Sequence, residues 1–432
     1  MQNLKKIILY LSFYFKKPFF GFIQGHEYLT KNEIKNIRSE IYKKNESLVE
    51  EFELEFSKLI GDGKSVSFAA ARMGFYSLMK ILNIKENDEV ILLGANCAVM
   101  INAVLRLGVT PVYSDIDPDT YGSSFEEIKN KITNRTKLIV AQHSFGIPCD
   151  IEKIKKLAEE KKIFLLEDCA LTVSSKYKNL NVGNFGGAAI FSLDHSKPIN
   201  TLIGGLIYTG DLDLYKKLKE VQKKSPDLKL TKQEAIFKRI LIEKEFCNFK
   251  NYGKLFFKDL WENFKIKILK TDTAFLTEDI SSKDFNFQFY PSKYPSFLAE
   301  LGLKEIQRWK DTMDKRKRLL NELKILFQNS KFKANILKAY FNPDLEIIPH
   351  RFILTGNNLS MYKKKISDFV NTDWFWFNKP IVAANEPLEN YGYKKGCCIL
   401  SEELGYDIIN IPCMVTEEEI PILLKSLKKS LA

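Results

Sequence analysis

The sequence predicts an α/β protein, built on a largely parallel sheet between helices and followed by a smaller mixed segment. Two observations carry that expectation. Between Ser65 and about Gly210, short buried apolar runs alternate with stretches of helical spacing. With 432 residues, 45% apolar and 28% charged, the chain can bury a substantial core and has the balance of an ordinary globular protein.

The amino terminus opens with an apolar run, Ile7 to Phe15, between Lys5-Lys6 and Lys16-Lys17-Pro18. It has no small-residue cleavage site and is too short to span a bilayer. It reads as an arm packing on a partner subunit, or as a short interfacial helix in peripheral contact with a membrane. Residues 27–60 read as helix, opened by Lys31-Asn32-Glu33-Ile34 and continued by the spacing from Val49 to Ile60. Glu89 to Leu93 is a buried strand, Ala98 to Leu107 a helix closed by Gly108, and Pro111-Val112-Tyr113 the next strand. Lys137 to Ala141 is a strand, Ile151 to Lys161 a helix capped by Asp150, and Ile163 to Leu166 another strand. Ala188 to Phe191 and Leu206-Ile207-Tyr208 complete the alternation. Residues 211–285 are rich in lysine and aromatics at helical spacing, as a helical insertion or lid would be. A helix from about Leu298 to Phe327 leads to the strand-like Arg351 to Leu354 and Ile408 to Ile411. The expected divisions are an arm and helix over 1–45, a large domain over 46–297, and a small domain over 298–432. No later stretch is long and apolar enough to cross a membrane.

The formal charge of +12 comes from lysines spread along the chain, whereas a nucleic-acid binder tends to concentrate its charge in a patch or tail. A solvated lysine surface explains it; an anionic substrate or a membrane surface is the alternative. Seven cysteines form no C-x-x-C pair, and four histidines give them little company. A reducing cytosol is therefore expected, with neither a disulfide framework nor a metal module.

Ligands of parallel sheets collect at the carboxyl ends of the strands, so residues just beyond each strand are the ones to inspect. Glu167-Asp168 follows the Ile163 to Leu166 strand. A carboxylate there either caps the next helix or is a buried anion facing a cationic ring nitrogen. Lys197, in Ser192-Leu193-Asp194-His195-Ser196-Lys197, follows another strand. It is either a solvated lysine or a desolvated amine of lowered pKa, able to act as a nucleophile. Ser192 could donate to a phosphate, and Gly204-Gly205 would let backbone pass close to a ligand, or simply make a turn. Ala69-Ala70-Ala71-Arg72 opens a helix whose amino end suits a phosphate, with Arg72 adding a guanidinium or facing solvent.

In order and spacing these motifs resemble the DegT/StrS family of fold-type I, pyridoxal-phosphate-dependent aminotransferases, most of which act on nucleotide-linked keto-sugars. The resemblance rests on Asp88-Glu89-Val90, Asp115 to Thr120, and His143-Ser144-Phe145-Gly146-Ile147-Pro148. It continues through Glu167 to Ala170, Val182 to Gly186, Phe191-Ser192 to Lys197 with Gly204-Gly205, and loosely through Gly396 to Glu402 and Ile409 to Pro412.

The resemblance implies a large cofactor-binding domain with a mostly parallel sheet and a smaller C-terminal α+β domain. Lys197 would be the Schiff-base lysine and Asp168 the partner of the pyridine nitrogen. Ser192 and the amides near Ala71 and Arg72 would hold the phosphate, and Cys97 would lie beside the cofactor ring. His143, His195 and Lys293 are candidate substrate-binding residues, and no metal is expected. The implied reaction takes an amino group from a donor such as glutamate to a keto group of a nucleotide-linked sugar for a surface glycan. The implied setting is a homodimer in the cytosol.

Several positions depart from the family pattern. Ala71-Arg72 replaces a usual Gly-Thr or Gly-Ser, Cys97 replaces a stacking aromatic, and Leu171 replaces a polar residue. An asparagine from a neighbouring subunit is not evident around Pro291-Ser292-Lys293. The lysine at 197 argues against the related dehydratases, which carry histidine there; His195 lies two residues earlier. The altered pocket motivates a second reading, an aminotransferase for a smaller keto or ketose-phosphate acceptor. The lysine-flanked amino terminus motivates a third, a non-catalytic scaffold at a membrane surface.

Overall fold

A computed structural model describes residues 11–276, 290–356, 359–372, 377, 380–404 and 408–431. Ile7 to Tyr10 of the apolar run and the end of the expected insertion, 277–285, lie outside the described residues.

The centre is a seven-stranded sheet: β1 (Lys64–Phe68), β2 (Glu89–Leu93), β3 (Thr110–Ser114), β4 (Thr136–Gln142), β5 (Phe164–Asp168), β6 (Ala188–Ser192) and β7 (Gly205–Thr209). Their spatial order is β1-β7-β6-β5-β4-β2-β3. From β6 to β3 every pairing is parallel, and β7 alone runs against both its neighbours. A parallel pair needs a long crossover: helices supply it from β2 to β5, and between β5 and β6 the chain crosses through the loop 169–187, which carries a small hairpin, Lys176–Tyr177 with Leu180–Asn181; the β6–β7 connection is short enough to turn straight back. The sheet is buried on both faces, as parallel sheets are. Val90, Leu92, Leu138, Val140 and Leu166 face one core, while the alternating Ile91, Ile139, Ala141 and Leu165 face another with Ile151 and Ile154.

This arrangement puts Gln142, Asp168 and Ser192 at the same carboxyl edge, with Gln142 in register with Asp168 and Asp168 with Ile190. The helix Ala71–Ile81 packs beside β7 and β1, and its amino end arrives at that edge.

Past β7 the chain forms the helices Leu212–Lys224, Leu230–Phe246 and Tyr252–Leu269, so 211–276 is helical as expected. The described part of the arm packs, through Phe13, Phe19 and Ile23, on Ile242, Tyr252 and Leu255 of this chain's own insertion, a contact that the sequence did not suggest. The physical reason is local: those two helices leave an apolar groove that the arm's rings fill, and Phe13 stacks on Phe256 with centroids 4.7 Å apart. One correction concerns Asp150. It stands at the amino end of the helix Ile151–Lys161 but makes no cap bond; its carboxylate takes the Tyr177 hydroxyl and pairs with Lys153.

After the long helix Ser296–Gln328, the strands Arg351–Leu354 and Ile409–Pro412 pair antiparallel around a third apolar cluster with Leu319, Leu323 and Phe327.

Candidate active site

At the carboxyl edge of the sheet lies a cavity of about 260 Å³. Ala71, Arg72, Cys97, Asp168, Ser192 and Lys197 all line it. Five positions read from strand ends and one helix start, and Cys97 from the family resemblance, thus meet in one space.

Lys197 sits on the β6–β7 loop, fixed by its amide donating to the Asp194 carbonyl at 2.9 Å, and is only 7% exposed. Burial pushes its pKa below the ordinary lysine value. Asp194, Cys97 and Asp168 oppose that, and Arg351 adds to it. The structure therefore selects the desolvated amine over the solvated lysine. Asp168 ends β5 and is 4% exposed, with Oδ1 accepting the Ala170 amide at 2.9 Å. Burial raises its carboxyl above the ordinary aspartate value, while that amide, Lys197 and His143 pull it down. A cationic partner in the cavity would favour the ionised form.

Glu167, the neighbour of Asp168, points the other way, as strand alternation requires. Its carboxylate accepts amides from Gly183 (2.7 Å), Phe185 (2.6 Å) and Gly186 (2.8 Å), which explains the Val182 to Gly186 motif as a clamp. His143 completes it. The Cys149 amide donates to His143 Nδ1 at 3.1 Å, so Nε2 carries the proton toward Glu167 Oε2, also at 3.1 Å. His143, Glu167 and Cys169 lie close enough to hold an ion, but that carboxylate is already filled by four donors.

The helix Ala71–Ile81 begins at Ala70, which offers no side-chain cap, so its amino end is open to an anion. Gly205 makes this approach possible, because a Cβ there would stand 2.4 Å from the Ala71 Cα and N. Gly204, at φ +120°, is in a backbone region that favours glycine. Arg72 does not face solvent: its guanidinium donates to the Leu276 carbonyl at 2.9 Å, and the Tyr290 hydroxyl donates to its own carbonyl at 3.1 Å. Cys97 lies on a two-residue strand, Asn96–Cys97, pairing with Ile381–Val382, and burial raises its thiol. Leu171 is also in the wall, as is Asn96, whose buried Nδ2 has no partner among the described residues.

His143, His195 and Lys293 do not line the cavity. His143 belongs to the Glu167 clamp. His195 Nδ1 meets Glu243 Oε1 of the insertion at 2.9 Å, and its ring stands edge-on to Phe275, so it ties the lysine loop to the insertion. Lys293 reaches Glu46 at 3.6 Å in a second cavity of about 570 Å³ that shares no residue with the first. Their partners come from distant segments, which no local pattern shows.

Sequence reasoning also missed a buried basic group beside the lysine. Arg316 donates from Nη2 to the carbonyl of Pro198 at 3.2 Å, while its Nε and Nη1, and both ring nitrogens of His350, have no partner among the described residues. Burial pushes Arg316 down to about 10. A helical arginine among many lysines gives no signal in a sequence.

A buried amine of lowered pKa, a buried carboxylate, an uncapped helix end, a glycine-made gap and an orphaned Asn96 amide fit pyridoxal 5′-phosphate. Together with the sheet order, they place the chain in the fold-type I class of folds, whose site this edge resembles. Residues 27–239, the segment that carries most of this site, match the DegT/DnrJ/EryC1/StrS aminotransferase family. The aminotransferases of this family bind pyridoxal phosphate.

The GDP-perosamine synthase of Escherichia coli O157:H7 is 36% identical over 167 residues, 39% of this chain and 46% of that protein. The spore coat polysaccharide biosynthesis protein SpsC of Bacillus subtilis is 32% identical over 171 residues, 40% of this chain and 44% of that one. The chain thus matches somewhat under half the length of these curated relatives. In fold, it is similar to the aminotransferase from Psychrobacter cryohalolentis (TM-score 0.67, 19% identity, 93% of this chain and 96% of that one). It is likewise similar to DesV of S. venezuelae (TM-score 0.68, 16% identity, 96% and 98% covered).

Proposed function

We propose that this chain is an aminotransferase that moves an amino group from an amino-acid donor, glutamate by preference, to a keto group of a nucleotide-linked sugar. The observation that carries the reading is Lys197: a buried amine of depressed pKa sharing one cavity with a buried carboxylate and an open helix end.

Pyridoxal phosphate bound in the cavity supplies an electron sink for the bond changes at the donor and acceptor carbons. The chain's own residues do the rest. The amino end of the helix Ala71–Ile81 and the Ser192 hydroxyl hold the phosphate. Asp168 holds a proton on the ring nitrogen. Lys197 Nζ takes a proton from the donor's α-carbon, and in the second half of the cycle returns one to the former keto carbon of the acceptor. Leu171 and Phe377 wall the cavity and keep water from these atoms.

Arg316 does not itself line the cavity, but it holds the carbonyl of Pro198, next to Lys197, and its open donors support a donor bearing a carboxylate. A buried guanidinium is costly without an anion, and the donor is the anion that must come close to Lys197. The acceptor assignment draws support from the relatives' names, a perosamine synthase and a spore coat polysaccharide protein. The proposed setting is the cytosol, where the seven cysteines stay as thiols. The proposed assembly is a homodimer, since a twofold dimer is the commonest closed assembly.

The experiment is a two-step assay on purified, cofactor-loaded protein. Glutamate should bleach the visible absorbance, and a keto-sugar nucleotide should then restore it and yield the amino sugar. No bleaching with any amino acid would overturn the transfer itself. Bleaching that only a small keto acid or a ketose phosphate reverses would overturn the sugar-nucleotide half.

A further inference from the structure

The insertion helix Tyr252–Leu269 has two apolar faces, only one of which is covered by the described residues. Tyr252 and Leu255 are buried against the arm. On the other side Phe257, Trp261, Phe264 and Ile268 are 42%, 50%, 55% and 60% exposed. Their spacing of i, i+4, i+7 and i+11 makes one stripe. The arm extends it through Tyr14, edge-on to Phe257 at 6.0 Å, and through Phe15, 77% exposed. A contiguous exposed apolar surface of this kind marks an interaction site.

The stripe is set among lysines. Lys254, Lys258, Lys265 and Lys267 lie along the same helix, Lys270 just past its end and Lys17 on the arm, with Lys265 Nζ 5.4 Å from the centre of the Trp261 ring. The helix's two acids are already engaged, Asp259 by Arg239 and Glu262 by Lys238 and Lys258. The exposed surface is therefore aromatic and basic together.

We infer that this face docks on an anionic bilayer surface. Tryptophan, tyrosine and phenylalanine rings settle at the boundary between headgroups and acyl chains, and lysine stems let the ammonium groups reach lipid phosphates. A second copy of the chain is the poorer occupant, because a twofold contact through this face would set basic surface against basic surface. The helix lies on the bilayer rather than through it: no described helix is long and apolar enough to cross. Beyond its end the chain continues to Phe275 and Leu276 in the cavity wall, so docking would fix part of that wall at the membrane. The inference stands on this surface alone and not on the aminotransferase reading.

The test is co-sedimentation of the full chain with phosphatidylcholine vesicles, with and without phosphatidylglycerol, at low and high salt. The expected result is binding that requires phosphatidylglycerol and weakens with salt. A variant carrying Phe257→Ser, Trp261→Ser and Phe264→Ser should lose it by a factor of about ten or more, with its circular dichroism unchanged. Should that variant misfold, Lys265→Gln, Lys267→Gln and Lys270→Gln together must weaken binding at low salt. Wild-type protein that leaves phosphatidylglycerol vesicles unbound, or an aromatic variant that binds as well as wild type, would overturn the inference. Self-association abolished by the aromatic variant, with no vesicle binding by wild type, would instead assign the face to a second copy.

Discussion

In the proposed reaction, Lys197 is where the chemistry is decided. Its amine is buried and of lowered pKa, so it is neutral, and able to take a proton, from a lower pH than an ordinary lysine. The donor half of the reaction should therefore rise with pH through that depressed pKa and level off above it, as single-turnover kinetics with glutamate can show. Asp168→Asn keeps the shape but removes the anion; the turnover rate should fall by roughly 10²–10⁴-fold, with protein stability little changed. Arg316→Gln should raise the KM for glutamate about tenfold or more, the loss of one charge-assisted hydrogen bond worth about 1.5–3 kcal/mol. The acceptor's KM should hold, and Arg316→Lys should recover part of the loss; an unchanged donor KM would rule out the carboxylate contact. Asp168, Ser192, Ala71 and Arg72 were legible because they end strands or open a helix, and Lys197 because it follows a strand, positions that the topology gathers at one edge, whereas Cys97 came from the family resemblance. His143, His195 and Lys293 were misplaced for the opposite reason. A buried histidine is assigned by what it meets, here Glu167 and Glu243, and neither meeting is written in the local sequence.

Among the elements, the junction of β7 with the helix Ala71–Ile81 is the most exacting. Gly205→Ala would force a Cβ to within 2.4 Å of the Ala71 backbone. The expected outcome is a loss of about 1–3 kcal/mol in denaturant unfolding, with cofactor affinity falling further because the helix end is pushed off the phosphate. In the insertion, burial alone would raise the Glu262 carboxyl, but Lys238 and Lys258 outweigh it and hold the pKa at about 2. A depressed carboxylate stabilises the fold above the ordinary glutamate range, and that contribution is lost as pH falls toward about 2. Glu262→Gln should thus cost about 1–2 kcal/mol near neutral pH and almost nothing in strong acid, measured as Tm across pH. Strands β2 to β7 were legible since each is a short apolar run bounded by turn residues or charge. β1 was not singled out, because Lys64-Ser65-Val66-Ser67-Phe68 is half polar; Ser67 is buried only because its hydroxyl reaches Glu53 Oε1 at 2.7 Å.

The whole molecule is a parallel-sheet core with helices after β7 and a smaller C-terminal segment. The sheet and its edge follow from the alternating pattern, but the way the arm folds back onto the insertion does not, since it depends on contacts between segments over two hundred residues apart. The proposed dimer should scatter light with twice the 50.0 kDa chain mass, whether or not vesicles are present; a monomer at working concentration would contradict it. Every step of the account still passes through one amine. The most direct measurement is to load the protein with pyridoxal phosphate, reduce it with borohydride, digest it and locate the added mass. The account predicts the cofactor fixed to the peptide bearing Lys197, and no fixation in Lys197→Ala. A label on another lysine, or none on protein that still transfers nitrogen, would contradict it.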